Sequence, residues 1–221
     1  MLAAAWAGVV RAAGAPADDF AVAAVGARLL AAYAEPHRTY HDLRHLAEVL
    51  SRVELLAAEA ADPVAVRLAA WFHDAVYDGR ADAEEQSAAF AETELGGLGL
   101  PRGLVDEVAR LVRLTATHEV ADGDRNGAVL SDADLGILAE PPGRYAEYAA
   151  AVREEYAALP DALFAAGRGD LLEGLLAREQ LFQTVGARPW EEAARRNVAN
   201  ELGELRERAA SGGATRTRGA G

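Results

Sequence analysis

The chain contains no cysteine, and that absence removes disulfides, thiolate metal ligands and cysteine nucleophiles together. It fits a reducing compartment, so a cytoplasmic location is expected. Aromatic residues are scarce at 6%, although 51% of the sequence is apolar. Alanine, leucine and valine must therefore fill most of the interior. Runs such as Ala3-Ala4-Ala5 and Ala149-Ala150-Ala151 favour helix, because alanine loses no side-chain entropy there. Basic charge is short as well: 22 Lys and Arg against 35 Asp and Glu leave a formal charge of -13 and a pI near 4.8. So acidic a surface repels a phosphate backbone, and duplex nucleic acid is excluded as an expected partner. A small phosphorylated substrate is not excluded, since a bound cation reverses the local field. Nor is there an apolar run long enough to cross a bilayer. The segment Leu2 to Val10 lacks a basic leader and is interrupted by Arg11, so it reads as a first amphipathic helix carrying Trp6, with no membrane partner expected.

No stretch of period-two alternation argues for a sheet, and neither an internal repeat nor a long linker is present. Helix punctuation is frequent instead. Asp62-Pro63 reads as an N-cap followed by proline at the first helical position, opening a helix through about Tyr77. Asp82 and Glu85 have capping-box spacing. Gly96-Gly97-Leu98-Gly99 stops that helix and Pro101 begins the next. Pro141-Pro142-Gly143 precedes a helix with Tyr145, Tyr148 and Tyr156, here read as packing residues. Pro160, Gly167 and Gly169 mark further turns, and Pro189 opens a last helix through about Arg208. At 221 residues the chain is long enough for one good-sized core and short for two. The expected fold is all-α, a single helical domain over 1–208 with a disordered tail over 209–221, where small polar residues follow without a cap.

Four of the five histidines fall in segments rich in acidic residues: Tyr40-His41-Asp42-Leu43-Arg44-His45, Trp71-Phe72-His73-Asp74 and Thr115-Ala116-Thr117-His118, followed by Ser131-Asp132-Ala133-Asp134. Neutral imidazole and ionised carboxylate can hold a divalent metal and leave room for water and an oxyanion. His41 and His45, four apart, share one face if both are helical, so either or both could reach a common site. His73 and Asp74 are adjacent, about 100° apart on a helix, and reach one metal together only if a helix end faces it obliquely. The remaining ligand must come from another helix, and Asp134 is available. His37, between Pro36 and Arg38, reads as a surface or entrance residue, and Asp132 as a cap or a supporting residue rather than a ligand.

The ordered set His41, His73-Asp74, Asp134 resembles the HD superfamily of metal-dependent phosphohydrolases, named for that dipeptide. More narrowly, the chain is similar to a family of predicted HD phosphohydrolases of unassigned substrate. That likeness rests on Pro36-His37-Arg38-Thr39-Tyr40-His41-Asp42-Leu43-Arg44-His45, on Trp71 through Asp78, on Glu84-Glu85-Gln86-Ser87-Ala88 and on Ser131-Asp132-Ala133-Asp134-Leu135. A weaker match covers Arg153-Glu154-Glu155-Tyr156 and Glu192 to Asn197. The resemblance implies an all-helical HD-domain fold and a metal held by His41, His73, Asp74 and Asp134, with His41 preferred to His45 as the first ligand. His118 lies where some members place an additional histidine. His45 and His118 are thus compatible with a second ion, or with one ion and two phosphate-binding histidines.

The expected activity is hydrolysis of a small phosphorylated substrate, a nucleotide among the candidates, by metal-activated water. Asp74 would bind the metal and orient that water, with Glu84 or Glu85 as general base or proton shuttle. Glu85 already has a capping role. Arg38, Arg153 and Arg195 are candidates to hold phosphate through forked donors, though each also suits a salt bridge. Manganese, iron, nickel, cobalt, zinc and magnesium all fit such ligands. Two alternatives belong to other classes: a non-catalytic metal- or ligand-binding regulatory domain, and a di-iron oxygenase. Helical faces rich in alanine and leucine are compatible with a homodimer.

Overall fold

The computed structural model describes residues 1–77, 79 and 82–216, the side chains of 209–216 excepted. Among the described residues there are ten α-helices and no strand. None of these helices is long and apolar enough to cross a membrane. The chain groups into two compact units, Met1–Asp134 with Gln183–Ala187, and Leu135–Phe182 with Arg188–Gly221. Punctuation alone suggested one domain, because no linker or change of composition marks the division.

The first unit contains α1 (Leu2–Ala12), α2 (Asp19–Tyr33), α3 (Leu43–Leu56), α4 (Pro63–Phe72), α5 (Ala83–Gly97), α6 (Arg102–Leu114) and nearly all of α7 (Arg125–Leu135). Helix α4 lies at its centre, packed against α1, α3, α5 and α6. Its sequence explains the position, since Ala65, Val66 and every residue from Leu68 to Phe72 are buried. A helix apolar on every side but that of Arg67 has nowhere else to go. Trp6 of α1 meets Trp71 and Phe72 edge to face, at ring-centre distances of 5.6 and 5.9 Å. Its indole N–H donates to the carbonyl of Val22 at 2.8 Å, so the buried ring leaves no unpaired donor. Gly26 of α2 makes room for that ring, for a Cβ there would lie 2.5 Å from Trp6 Cδ1. These few aromatic side chains fix the end of α4, and the His-Asp dipeptide follows directly.

The start of α4 is as expected, with the Asp62 carboxylate accepting the N–H groups of Val64 and Ala65 ahead of Pro63. Its end is not. The helix stops at Phe72 rather than near Tyr77, with His73 as its C-cap. Two carbonyls of the following turn, those of Asp74 and Ala75, are taken by Arg38, and the Val76 N–H by Ser87 Oγ. Tertiary partners thus satisfy the backbone that a longer helix would have paired internally. The capping box is also corrected: Asp82 precedes α5 without a side-chain cap bond, and Glu85 is held by Arg113.

The second unit contains α8 (Pro142–Glu155), α9 (Asp161–Ala177) and α10 (Glu191–Arg216), with a 3-10 turn at Gly136–Ala139. Helix α10 packs on α9 and on that turn. The Tyr145 hydroxyl donates to Glu201, which also takes two bonds from the buried Arg168, itself bonded to the Tyr148 hydroxyl. Gly167 and Gly169, expected at turns, lie inside α9. Pro189 stands in a short 3-10 turn, Arg188–Trp190, and the last helix begins after it. Of the expected tail, the backbone continues α10 as far as Arg216, and residues 217–221 lie outside the described ones.

Candidate metal centre

Three elements of the first unit supply the cluster: the N-terminus of α3, the C-terminus of α4 and the end of α7. Asp42 starts α3, its carboxylate accepting the N–H groups of Arg44 and His45. That cap fixes His45 in the first turn, buried. It also places His41 ahead of the helix, so the two histidines do not share a helical face. Their rings nonetheless come within 5.5 Å, centre to centre, and His41 stacks on Tyr77 at 4.0 Å.

His73 caps α4, and its Nδ1 lies 2.9 Å from the carbonyl of Ala70. A carbonyl accepts only, so Nδ1 carries the proton of the neutral ring and Nε2 is left with its lone pair. His73 Nε2 lies 3.0 Å from His45 Nε2 and 3.0 Å from Asp74 Oδ2, and the last two are 3.1 Å apart. These residues form a group that could hold a metal ion. Asp134 brings Oδ1 to 3.3 Å from His45 Nε2 and 3.6 Å from His73 Nε2. Its Oδ2 lies 3.4 Å from His118 Nε2, while His118 Nδ1 is 3.1 Å from the Ser131 hydroxyl.

The electrostatics follow from this packing. Burial alone would push the Asp74 carboxyl up, but His73 and His41 outweigh it and hold it well below the ordinary 3.8. Asp134 is likewise lowered, burial being overcome by His73 and His45. Conversely, burial would depress His45, and the carboxylates of Asp134 and Asp74 raise it instead. His73 is raised well above 6.5 against its own burial, chiefly by Asp74. Two half-buried carboxylates demand positive charge, yet two Nε2 atoms 3.0 Å apart cannot both carry protons toward each other. A cation accepting both lone pairs meets both requirements, and the negative end of α4 points the same way. The donor set of imidazole nitrogens and carboxylate oxygens therefore fits a divalent ion. His45 Nδ1 is buried with no hydrogen-bond partner among the described residues.

His118 is the described non-glycine residue with positive φ, at 52°. It lies three residues beyond the Thr115 cap of α6, in a left-handed conformation that L side chains rarely adopt. Holding an imidazole there is strained, and such strain concentrates at functional sites.

The other expected site residues lie as follows. Arg38 is buried, its Nη1 donating to the carbonyls of His41 and Asp74, its Nη2 to Ala75 and its Nε to Glu35. It braces backbone and has no fork to offer a phosphate. Arg153 and Arg195, in the second unit, are similarly committed: Arg153 to the carbonyls of Tyr156 and Leu159 and to Asp161, Arg195 to those of Leu176, Arg178 and Glu179 and to Glu191. Both close helix ends. Glu85 is exposed and gripped through both oxygens by Arg113 at 2.6 Å, which removes it from general-base duty. Glu84 is half-buried in the first turn of α5, and no bond from it to the cluster is found among the described residues. His37 is exposed and bonded to the carbonyl of Tyr77, and Asp78 lies outside the described residues.

Two residues without an expected role act here. Tyr33, fully buried, accepts the N–H of Asp74. Ser131 orients His118, and its place three residues before Asp134 on α7 was the signal available, since that spacing shares a face. Tyr33 had none, being 41 positions from its partner. Compared with family models, curated proteins and solved structures, the chain matches none.

Proposed function

We propose that the first unit is a metal-dependent phosphohydrolase of the HD superfamily type, acting on a small phosphorylated compound. The observation that carries this reading is the convergence of His45 Nε2, His73 Nε2 and Asp74 Oδ2 at 3.0–3.1 Å, with Asp134 closing the group. His45, His73, Asp74 and Asp134 would hold the ion, with His41 adjoining. An ion held by these residues would supply Lewis acidity, lowering the pKa of a bound water and polarising a phosphoryl oxygen. The chain's own residues do the rest. The Ala70 carbonyl keeps the proton of His73 on Nδ1. Asp74 presents Oδ2 to the imidazoles and leaves Oδ1 to accept a hydrogen bond from the attacking water. His118, half-buried, with Nδ1 on the Ser131 hydroxyl and Nε2 3.4 Å from Asp134 Oδ2, would orient that carboxylate toward the ion.

The test is bound metal per chain, by elemental analysis, in the purified protein and in Asp74→Ala. One or two equivalents that vanish in the variant support the site, and hydrolysis of p-nitrophenyl phosphate or nucleoside monophosphates by the loaded protein supports the activity. Metal with no turnover would favour a regulatory binding domain. Two equivalents of iron with visible colour would favour the oxygenase. No metal in either protein after incubation with Mn2+ or Fe2+ would refute the reading.

A further inference from the structure

The geometry points to Arg38 and Tyr33 as a buried positioning clamp that sets where the Asp74 carboxylate stands, so that metal affinity is governed from behind the ligands. This rests on the metal reading above. Asp74 follows the last residue of α4 and its C-cap, so no helical ladder fixes its backbone. Its two backbone groups are held from outside instead. Its N–H donates to the Tyr33 hydroxyl at 3.2 Å, and its carbonyl accepts Arg38 Nη1 at 2.6 Å. The same Nη1 reaches the His41 carbonyl at 3.1 Å, and Nη2 reaches Ala75 at 3.1 Å. One guanidinium therefore ties the segment before α3 to the turn after α4.

Arg38 sits among exposed neighbours, yet its own side chain is 0% exposed. Its guanidinium carbon lies 5.3 Å from the centre of the Tyr33 ring and 5.7 Å from that of Tyr77. Cation–π contact on those rings and the Glu35 carboxylate on Nε hold it in place. A residue oriented this way is expensive to desolvate and is spent wholly on backbone near the ligands. Lysine cannot replace it. One ammonium cannot occupy the separate positions from which Nε, Nη1 and Nη2 donate. Residues supporting metal ligands in this indirect way typically change affinity 10–100-fold when altered.

The experiment is titration of the metal-stripped protein with Mn2+ by calorimetry at 25 °C, for wild type, Arg38→Lys, Tyr33→Phe and Arg67→Met, with helical circular dichroism recorded on each. Arg67 pairs with Glu54 on the surface of the same unit and serves as control. The expected result is a Kd raised about 10–100-fold in Arg38→Lys, with a smaller rise in Tyr33→Phe, unchanged helical signal and no change in the control. A Kd within threefold of wild type for Arg38→Lys would overturn the clamp and leave the metal reading intact. If Arg38→Lys does not fold, Tyr33→Phe decides by the same threshold, because it removes one hydroxyl and keeps the ring. A wild-type protein that binds neither Mn2+ nor Fe2+ would overturn the metal reading and the clamp together.

Discussion

Asp132 and Asp134 stand two apart on α7, and their substitution to alanine is expected to have opposite consequences. Asp132 is fully buried and accepts the N–H of Gln183 at 2.9 and 3.0 Å, the N–H of Thr184 at 2.7 Å and the Thr184 hydroxyl at 2.7 Å. It pins the returning segment Gln183–Ala187 to the first unit. In Asp132→Ala the hydroxyl can rotate, but the two backbone N–H groups cannot leave. Each stranded donor costs about 1–3 kcal/mol, or roughly 2–6 kcal/mol for the pair. Relief of the buried charge offsets part of this, since burial already pushes the Asp132 carboxyl above its ordinary 3.8. A net loss of about 2–4 kcal/mol is expected, a large fraction of the roughly 5–15 kcal/mol that holds a domain together. Urea unfolding followed by helical circular dichroism reads it as a lower midpoint at unchanged slope. Asp134→Ala, by contrast, is expected to abolish metal binding with little loss of stability, because it removes a carboxylate from a crowded set. A loss of less than about 1 kcal/mol in Asp132→Ala, or a loss of metal at an unchanged midpoint, would refute this role of Asp132.

Three further outcomes follow from the same packing. Gly26→Ala drives a methyl to 2.5 Å from Trp6 Cδ1 and should lower stability by about 1–3 kcal/mol in the same urea assay; an unchanged midpoint would mean that Trp6 is not fixed. Glu107 and Asp124 are both held below their ordinary 4.5 and 3.8, Glu107 first by its bonds with Arg110, and Asp124 by Arg110 against burial. A depressed carboxylate contributes stability above its unfolded pKa and loses it as pH falls through the folded one. The wild type should therefore weaken below about pH 4.5 more steeply than Arg110→Ala, and parallel curves would contradict the assignment. Finally, His118→Gly should relieve the strained φ of 52° by about 1 kcal/mol, roughly offsetting the lost Ser131 contact, while weakening metal binding through Asp134. A large fall in thermal midpoint would make His118 a structural residue instead.

Much of this molecule follows from the sequence by local rules. The all-α class was legible because alanine-rich amphipathic segments and caps such as Asp62-Pro63 act over a few residues. The cluster was legible in kind, since histidines and aspartates at element ends announce ligand chemistry. What local rules missed was which atoms meet. The resemblance favours His41 over His45 as the first ligand, but the Asp42 cap begins the helix between them and sends His45 into the interior beside His73 and Asp74. Arginines looked like phosphate forks because their donors are identical wherever they stand. Arg38 and Arg195 became braces when folding delivered carbonyls from 36 and 17 positions away, and Arg153 closes the end of its own helix.

Sequence alone thus determined the helical class, the residue types of the candidate metal group and several helix starts, because caps and side-chain entropy are properties of neighbouring residues. Tertiary structure alone decided where α4 ends, which histidine stands beside His73 and Asp74, and that Tyr33 and Arg38 hold Asp74 from behind. Those outcomes depend on hydrogen-bond partners up to 41 positions away, and a backbone group pairs with whichever donor or acceptor the packed core brings within reach.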